Sequence, residues 1–208
     1  MGTVNYRGVE IEIIPDENCE SPDTWGDDGV FLVGYHRDFW VERKDIISKD
    51  VAADIFRGEK NWGTEQITKK YWCFGLEAYI HSGVVLALSN CGDFCDRQWD
   101  VSRLGLVLVS KEESRFSKKA REYAERLIET WNQYLSGDVY GYNIEQLNDS
   151  CWGYYGYDTC LQEAKSIVDY HLEENRKKRI VTLKQLIKSK VPLEYRQERL
   201  LTLSSTYN

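Results

Sequence analysis

The sequence predicts an α+β fold: a mainly antiparallel sheet, two or three packed helices and a basic helical appendage at the C-terminus. Three observations predict it. Helical and strand-like periodicities interleave irregularly, with no regular strand–helix–strand crossover units. Several strand-like runs are joined by short links of the kind that connect antiparallel neighbours. Beyond Glu174 the charge pattern turns abruptly basic, which marks the end of the packed part. With 208 residues, the chain is long enough for one domain at about 100–200 residues per domain, but not for two full ones. The expected division is a single α+β domain over residues 1–175, carrying an acidic N-terminal loop, and a basic extension over 176–208.

Taken in order, Val4 to Ile14 alternates as one strand, and Pro15 to Gly29 is an acidic loop rich in turn formers. Val30 to Tyr35 and Phe39 to Val41 read as a strand pair around the turn His36-Arg37-Asp38, or as one bulged strand. Lys44 to Phe56 places Ile47, Val51, Ile55 and Phe56 on one helical face. A polar link, Arg57 to Lys70, follows. Tyr71 to Ile80 and Val84 to Ser89 form strands flanking His81-Ser82-Gly83, and Leu104 to Val109 is a β-branched run suited to a core strand.

Ser117 to Leu135 is the clearest helix. Ala120, Tyr123, Ala124, Leu127, Ile128, Trp131 and Leu135 recur at three- and four-residue steps, and Ser136-Gly137 is the stop signal. Asp138 to Leu147 alternates as a strand, and Asn148 to Tyr157 reads as an aromatic, glycine-rich loop. Asp158 is placed to cap a helix that buries Leu161, Ala164, Ile167, Val168 and Leu172. Thr182 to Lys188 is one more short helix, which Val191-Pro192 breaks.

Hydrophobic residues make up 42% and charged residues 29%, the composition of a globular chain. No apolar run reaches the roughly 18 residues of a membrane span. Met1 to Asp16 lacks the basic-then-apolar pattern of a secretory signal, so a cytoplasmic protein is expected. The six cysteines repeat no spacing and are read as free, mostly buried thiols. Net charge is −7, unevenly spread. Every charged residue from Glu10 to Asp28 is acidic, whereas from Arg176 to Arg199 nine bases face only Glu194 and Glu198. Solvated faces explain both runs most simply. The functional alternative is a nucleic-acid contact through Lys177, Lys178, Arg179, Lys184 and Lys188.

No phosphate-cradling loop, dinucleotide fingerprint, His-Glu-x2-His helix or Gly-x-Ser-x-Gly elbow is present, which removes the commonest nucleotide, zinc-protease and serine-hydrolase readings. The densest chemical group is His81 with Cys91, Cys95 and Asp100. A thiol is mostly protonated at neutral pH, so a nucleophilic Cys95 or Cys91 would need His81 as base, oriented by Asp100 or Asp96. The same His81, Cys91 and Cys95 could bind zinc, with Cys73 or His36 as fourth ligand. A single Cys-x3-Cys pair is half a zinc site, so packed thiols and a turn-capping histidine are preferred, with no cofactor expected. Trp152, Tyr154, Tyr155 and Tyr157, set among glycines, read most simply as aromatics packed over a sheet edge; the functional alternative is flat faces that stack bases or anchor a protein partner. Asp23, Asp27 and Asp28 would meet a basic groove on that partner.

Several of these segments resemble, as a set, a family of uncharacterised proteins encoded by bacteriophages and mobile elements. The resemblance is carried by Tyr79-Ile80-His81-Ser82-Gly83, Cys95 with Trp99-Asp100, and Gly105-Leu106-Val107-Leu108-Val109-Ser110-Lys111-Glu112. It continues through Tyr134 to Tyr142, Asp149-Ser150-Cys151-Trp152-Gly153-Tyr154-Tyr155-Gly156 and Lys190 to Arg196. It thus covers roughly Tyr79 to Arg196. Cys95-Asp96-Arg97-Gln98-Trp99-Asp100 is two residues longer than the Cys-x-Trp-Asp of the family pattern. The resemblance implies an accessory protein that binds and inhibits a host defence protein or nuclease complex in the host cytoplasm. A small thiol-dependent hydrolase is the enzymatic alternative.

Overall fold

The computed structural model describes residues 2–24, 29–80, 83–89, 101–188, 195 and 197. In chain order the elements are β1 (Gly2–Tyr6), β2 (Val9–Pro15), β3 (Val30–His36), β4 (Phe39–Val41), α1 (Lys49–Arg57), α2 (Trp62–Lys70) and β5 (Tyr71–Ile80). There follow β6 (Val84–Leu88), β7 (Val101–Ser110), α3 (Ser117–Ser136), β8 (Val139–Ile144), β9 (Asp149–Tyr155) and α4 (Tyr157–Lys188). Both sheets are built on antiparallel pairing, so the chain is α+β, with four α-helices among the described residues. Its contacts divide it into two compact units, where the sequence suggests one domain. One contains Glu17–Val139; the other joins the N-terminal strands, up to Asp16, to the chain from Tyr140 on. No helix among the described residues is long and apolar enough to cross a membrane.

The larger unit is a five-stranded sheet in the order β4-β3-β7-β5-β6. The three- and four-residue spacing in α3 brings Ala120, Ala124, Ile128 and Trp131 into one core with Leu76, Leu86, Val107 and Val109. A second core gathers Ala52, Val51, Ile55, Phe56 and Ile67 of α1 and α2 with Phe31, Val33, Leu106 and Leu108. Leu104 shares the α3 core with Val107 and Val109, against strict alternation. The reason is a bulge: Leu76 pairs with Gly105 but Glu77 pairs with Arg103, so Leu104 is an extra residue. A Cβ on Gly105 would lie 2.0 Å from the Val33 carbonyl oxygen, so only glycine fits that crossing.

The segment read as a polar link contains α2. It lacks an apolar stripe, but Asn61 accepts from the Thr64 amide at 3.0 Å while Thr64 Oγ1 accepts from the Asn61 amide at 2.9 Å. That reciprocal cap, rather than periodicity, specifies its start. Helix α1 begins later than the periodicity suggests, at Lys49, because Ser48 takes the cap position and accepts from Val51. β6 lies at the edge of its sheet. Both backbone groups of Leu86 are engaged by the Asn132 side chain: the Leu86 amide donates at 2.7 Å and its carbonyl accepts at 3.0 Å.

The smaller unit is a four-stranded sheet, β1-β2-β8-β9, associated with α4. What reads as one strand from Val4 to Ile14 is a hairpin. The chain reverses at Arg7 (φ 54°) and Gly8 (φ 86°), a two-residue turn that needs positive φ at both positions. Val9, Ile11 and Ile13 of β2 with Tyr142 and Ile144 of β8 pack against Cys160, Ala164 and Val168 of α4. Two further expectations are corrected here. Asn148 to Tyr157 is largely strand, not loop, and Thr182–Lys188 is the last part of a 32-residue helix. The basic stretch beginning at Arg176 therefore continues a helix that starts in the core.

Candidate functional site

The smaller sheet has two different faces. Alternation puts Val9, Ile11 and Ile13 into the α4 core, so Glu10, Glu12 and Ile14 lie on the opposite face. The register sets Glu12 opposite Asn143 and Ile14 opposite Gly141. On β9, the edge strand beyond β8, four consecutive residues (Ser150, Cys151, Trp152 and Gly153) are exposed. The Trp152 ring leans across to β8: a Cβ on Gly141 would meet its Cδ2 at 2.4 Å and its Cε3 at 2.3 Å. The absent side chain of Gly141 is thus the seat of the Trp152 ring. The ring remains 49% exposed, with one face on the sheet and the other in solvent. Glu10 is exposed and Glu12 half-buried, two strands or about 10 Å from the β9 axis. This face joins a rigid aromatic surface to negative charge.

The α4 face of the same hairpin carries a chain of polar groups. The Tyr142 hydroxyl donates to Asp149 Oδ1 at 3.0 Å, and Asp149 Oδ2 lies 3.7 Å from His171 Nε2. The Tyr142 and Tyr154 rings stand 5.7 Å apart. The Cys151 thiol donates to the Trp152 carbonyl at 3.9 Å. Burial, then the Asp149 contact, pushes the Tyr142 phenol up to about 12. Burial, then the neighbouring Cys151, raises Tyr154 as well, so both phenols hold their protons at neutral pH. Gly153 (φ 83°) interrupts the strand's alternation, and Tyr154 packs against the α4 core.

Of the four aromatic anchors read from the sequence, Trp152 alone presents its ring broadly. Tyr154 is half-buried in the polar chain, and Tyr155, 8% exposed, is core. Tyr157 packs edge-on against Tyr140 at 5.5 Å. Tyr155 is therefore corrected from an anchor to a packing residue; burial of an aromatic beside glycine is not legible without knowing which sheet face it takes. Asp23 is exposed on a single 3₁₀ turn, Pro22–Thr24, in the larger unit. Asp27 and Asp28 lie outside the described residues, as do His81, Cys91, Cys95, Asp96 and Asp100. Cys73 and His36, the alternative fourth zinc ligands, are both described. Cys73 aligns through Leu108 with Phe31, five residues from His36 along β3, a separation of about 17 Å along the strand. No group of three or more metal-ligating side chains converges among the described residues.

The basic candidates Lys177, Lys178, Arg179 and Lys184 are all exposed on α4; Lys188 is its last residue. Arg176 to Arg179 are consecutive, so at 100° per residue they surround the helix instead of forming a stripe. Two bases are already paired, Arg176 with Glu173 at 3.7 Å and Lys177 with Glu174 at 3.0 Å. A groove of about 460 Å³ beside β6, between Val84, Val85, Glu125, Ile128 and Glu129, has its strand edge occupied by Asn132. Sequence reading missed Gly141, Tyr142, Asp149, Cys151 and His171 as site residues. Asp149, Cys151 and Trp152 stand together in the sequence, but only a strand assignment would have divided them between two faces. Comparison with protein-family models, curated proteins and solved structures finds no match for this chain.

Proposed function

We propose that this chain is a non-enzymatic binding protein, an accessory protein of a phage or mobile element that occupies a host defence protein or nuclease complex in the cytoplasm. Its docking face is the surface of the smaller sheet that carries Trp152, Glu10 and Glu12. The observation that supports this reading is the Trp152 ring seated on Gly141, half open to solvent on an edge strand. A flat, pre-positioned indole loses little conformational entropy on burial and is a frequent anchor of protein interfaces. Carboxylates on the same face favour a basic partner surface and give salt-sensitive association. The class of host target is what the resemblance implies.

The test is a tagged pull-down from element-bearing host lysate at low and high salt, with nuclease treatment, comparing wild type with Trp152→Ala. Capture of one stoichiometric protein that survives nuclease, weakens in salt and is lost with Trp152→Ala supports the reading. Failure to retain any protein, or equal capture by both forms, overturns it.

A further inference from the structure

We infer that the docking face of the smaller sheet holds a subsite for one arginine side chain of the partner, with the open face of the Trp152 ring stacking on the guanidinium and Glu12 pairing with it. The inference rests on the docking role of Trp152 and names the group that this face takes.

The four strands of the smaller sheet contain no Lys or Arg, and among the described residues neither Glu10 nor Glu12 takes part in an ion pair. Outward-facing carboxylates with no such partner are complementary to a base supplied from outside. Trp152 is in the same condition. Elsewhere the chain covers aromatic rings with its own bases: Lys49 stands 5.0 Å over Trp40, Lys111 4.8 Å over Trp72 and Arg43 4.4 Å over Phe31. Among the described residues no base stands over Trp152, which remains 49% exposed.

Ring and carboxylate lie within reach of one guanidinium. The indole sits over Gly141 of β8. Glu12 Oε2 accepts from Asn143 Nδ2 at 3.4 Å, which holds that carboxylate over β8 as well. Gly141 and Asn143 are two residues apart on that strand, so the ring and the carboxylate are separated by about 7 Å along it. A guanidinium spans this gap. Its carbon can stand within about 6 Å of the ring centroid, where cation–π attraction acts, while its N–H groups meet Glu12 at about 2.7–2.9 Å. Ile14, half-buried and opposite Gly141 on β2, gives the aliphatic stem an apolar wall. Arginine fits better than lysine, because its plane is weakly hydrated, stacks on an aromatic face and offers paired donors to a carboxylate.

The experiment titrates the full chain, labelled with nitrogen-15, with the peptide acetyl-Gly-Gly-Arg-Gly-Gly-amide and follows the indole N–H resonances by NMR. The signal missing from Trp152→Phe is that of Trp152. The expected result is a saturable shift of this signal, with binding weakened at least about fivefold when neutral citrulline replaces the arginine and about twofold when lysine does. Glu12→Gln is isosteric and keeps an acceptor for Asn143; with an unchanged circular-dichroism spectrum it should weaken binding about fivefold. A Trp152 signal that stays still, or that responds equally to the citrulline peptide, overturns the inference, and both are read in the wild type whether or not a variant folds. Equal affinity of the wild type and a well-folded Glu12→Gln overturns the role of Glu12. The two readings fail separately. Lysate capture that is lost with Trp152→Ala, beside a Trp152 signal unmoved by the arginine peptide, overturns the subsite and leaves the docking face standing. A selective arginine response in a chain that captures no protein supports the subsite and overturns the docking reading.

Discussion

Replacing Gly141 by alanine should have opposite effects on stability depending on whether Trp152 is present. Gly141 is not among the positive-φ glycines, so alanine meets no backbone penalty. Its Cβ would lie 2.3, 2.4 and 2.9 Å from three atoms of the Trp152 ring, where contacting carbons prefer about 3.5–4.0 Å. The ring must therefore lift by about 1 Å or more. Being 49% exposed, it buries about half of a tryptophan's surface, about 125 Å² at most. At about 25 cal/mol/Å² that contact is worth up to about 3 kcal/mol. Gly141→Ala should forfeit about 1–2 kcal/mol of it, and Trp152→Ala about 2–3 kcal/mol. In the Trp152→Ala background the obstruction is gone, and Gly141→Ala should stabilise by about 0.5–1 kcal/mol, the ordinary preference for alanine over glycine in a strand. Urea unfolding of the four proteins, followed by far-ultraviolet circular dichroism, closes the cycle with a coupling of about 2 kcal/mol. A coupling below about 0.5 kcal/mol, the usual limit of additivity, would refute the seating of the ring on Gly141.

Two further outcomes are expected. Asn132→Ala leaves the Leu86 amide and carbonyl without their side-chain partner and should cost about 1–3 kcal/mol, measured by urea unfolding, with concentration-dependent association through the reopened β6 edge. Alkali should destabilise the fold, because the buried neutral forms of Cys73, Cys160 and Tyr142 titrate above their unfolded values. The folded state keeps these protons after the unfolded state has lost them, so stability is full below about pH 9 and falls as pH rises to about 12. Tyr142→Phe should flatten the upper part of that slope in chemical unfolding at successive pH values; an unchanged slope would remove Tyr142 from the account.

Much of the fold is written in local pattern. The α3 stripe, the Ser136-Gly137 stop and the β-branched run of β7 are short-range signals, because a three- to four-residue repeat or an alternation shows which face will be buried. Caps are nearly as local, and Asn61-x-x-Thr64 could have revealed α2 had it been weighed above the missing apolar stripe. The bulge at Leu104 and the glycine at 105 are not local: the first shows only in the pairing with β5, and the second answers the Val33 carbonyl on β3.

The candidate site depends on tertiary structure still more strongly. Composition marks the Trp152 segment as aromatic and glycine-rich, which fits a loop as well as a strand. Only pairing with β8 makes it an edge strand, seats Trp152 on Gly141 and sends Cys151 to the other face with Tyr154. The partners of Asp149 come from β8 and α4, so no spacing in the sequence predicts them. What the sequence determined by itself is the identity of the strongly periodic elements, α3 above all, and the charge at each end, because both follow from neighbouring residues. Which aromatic faces solvent, which thiol is accessible and which carboxylate stands beside which phenol were decided by tertiary structure. Those properties depend on strand order and register, which bring distant residues within bonding distance.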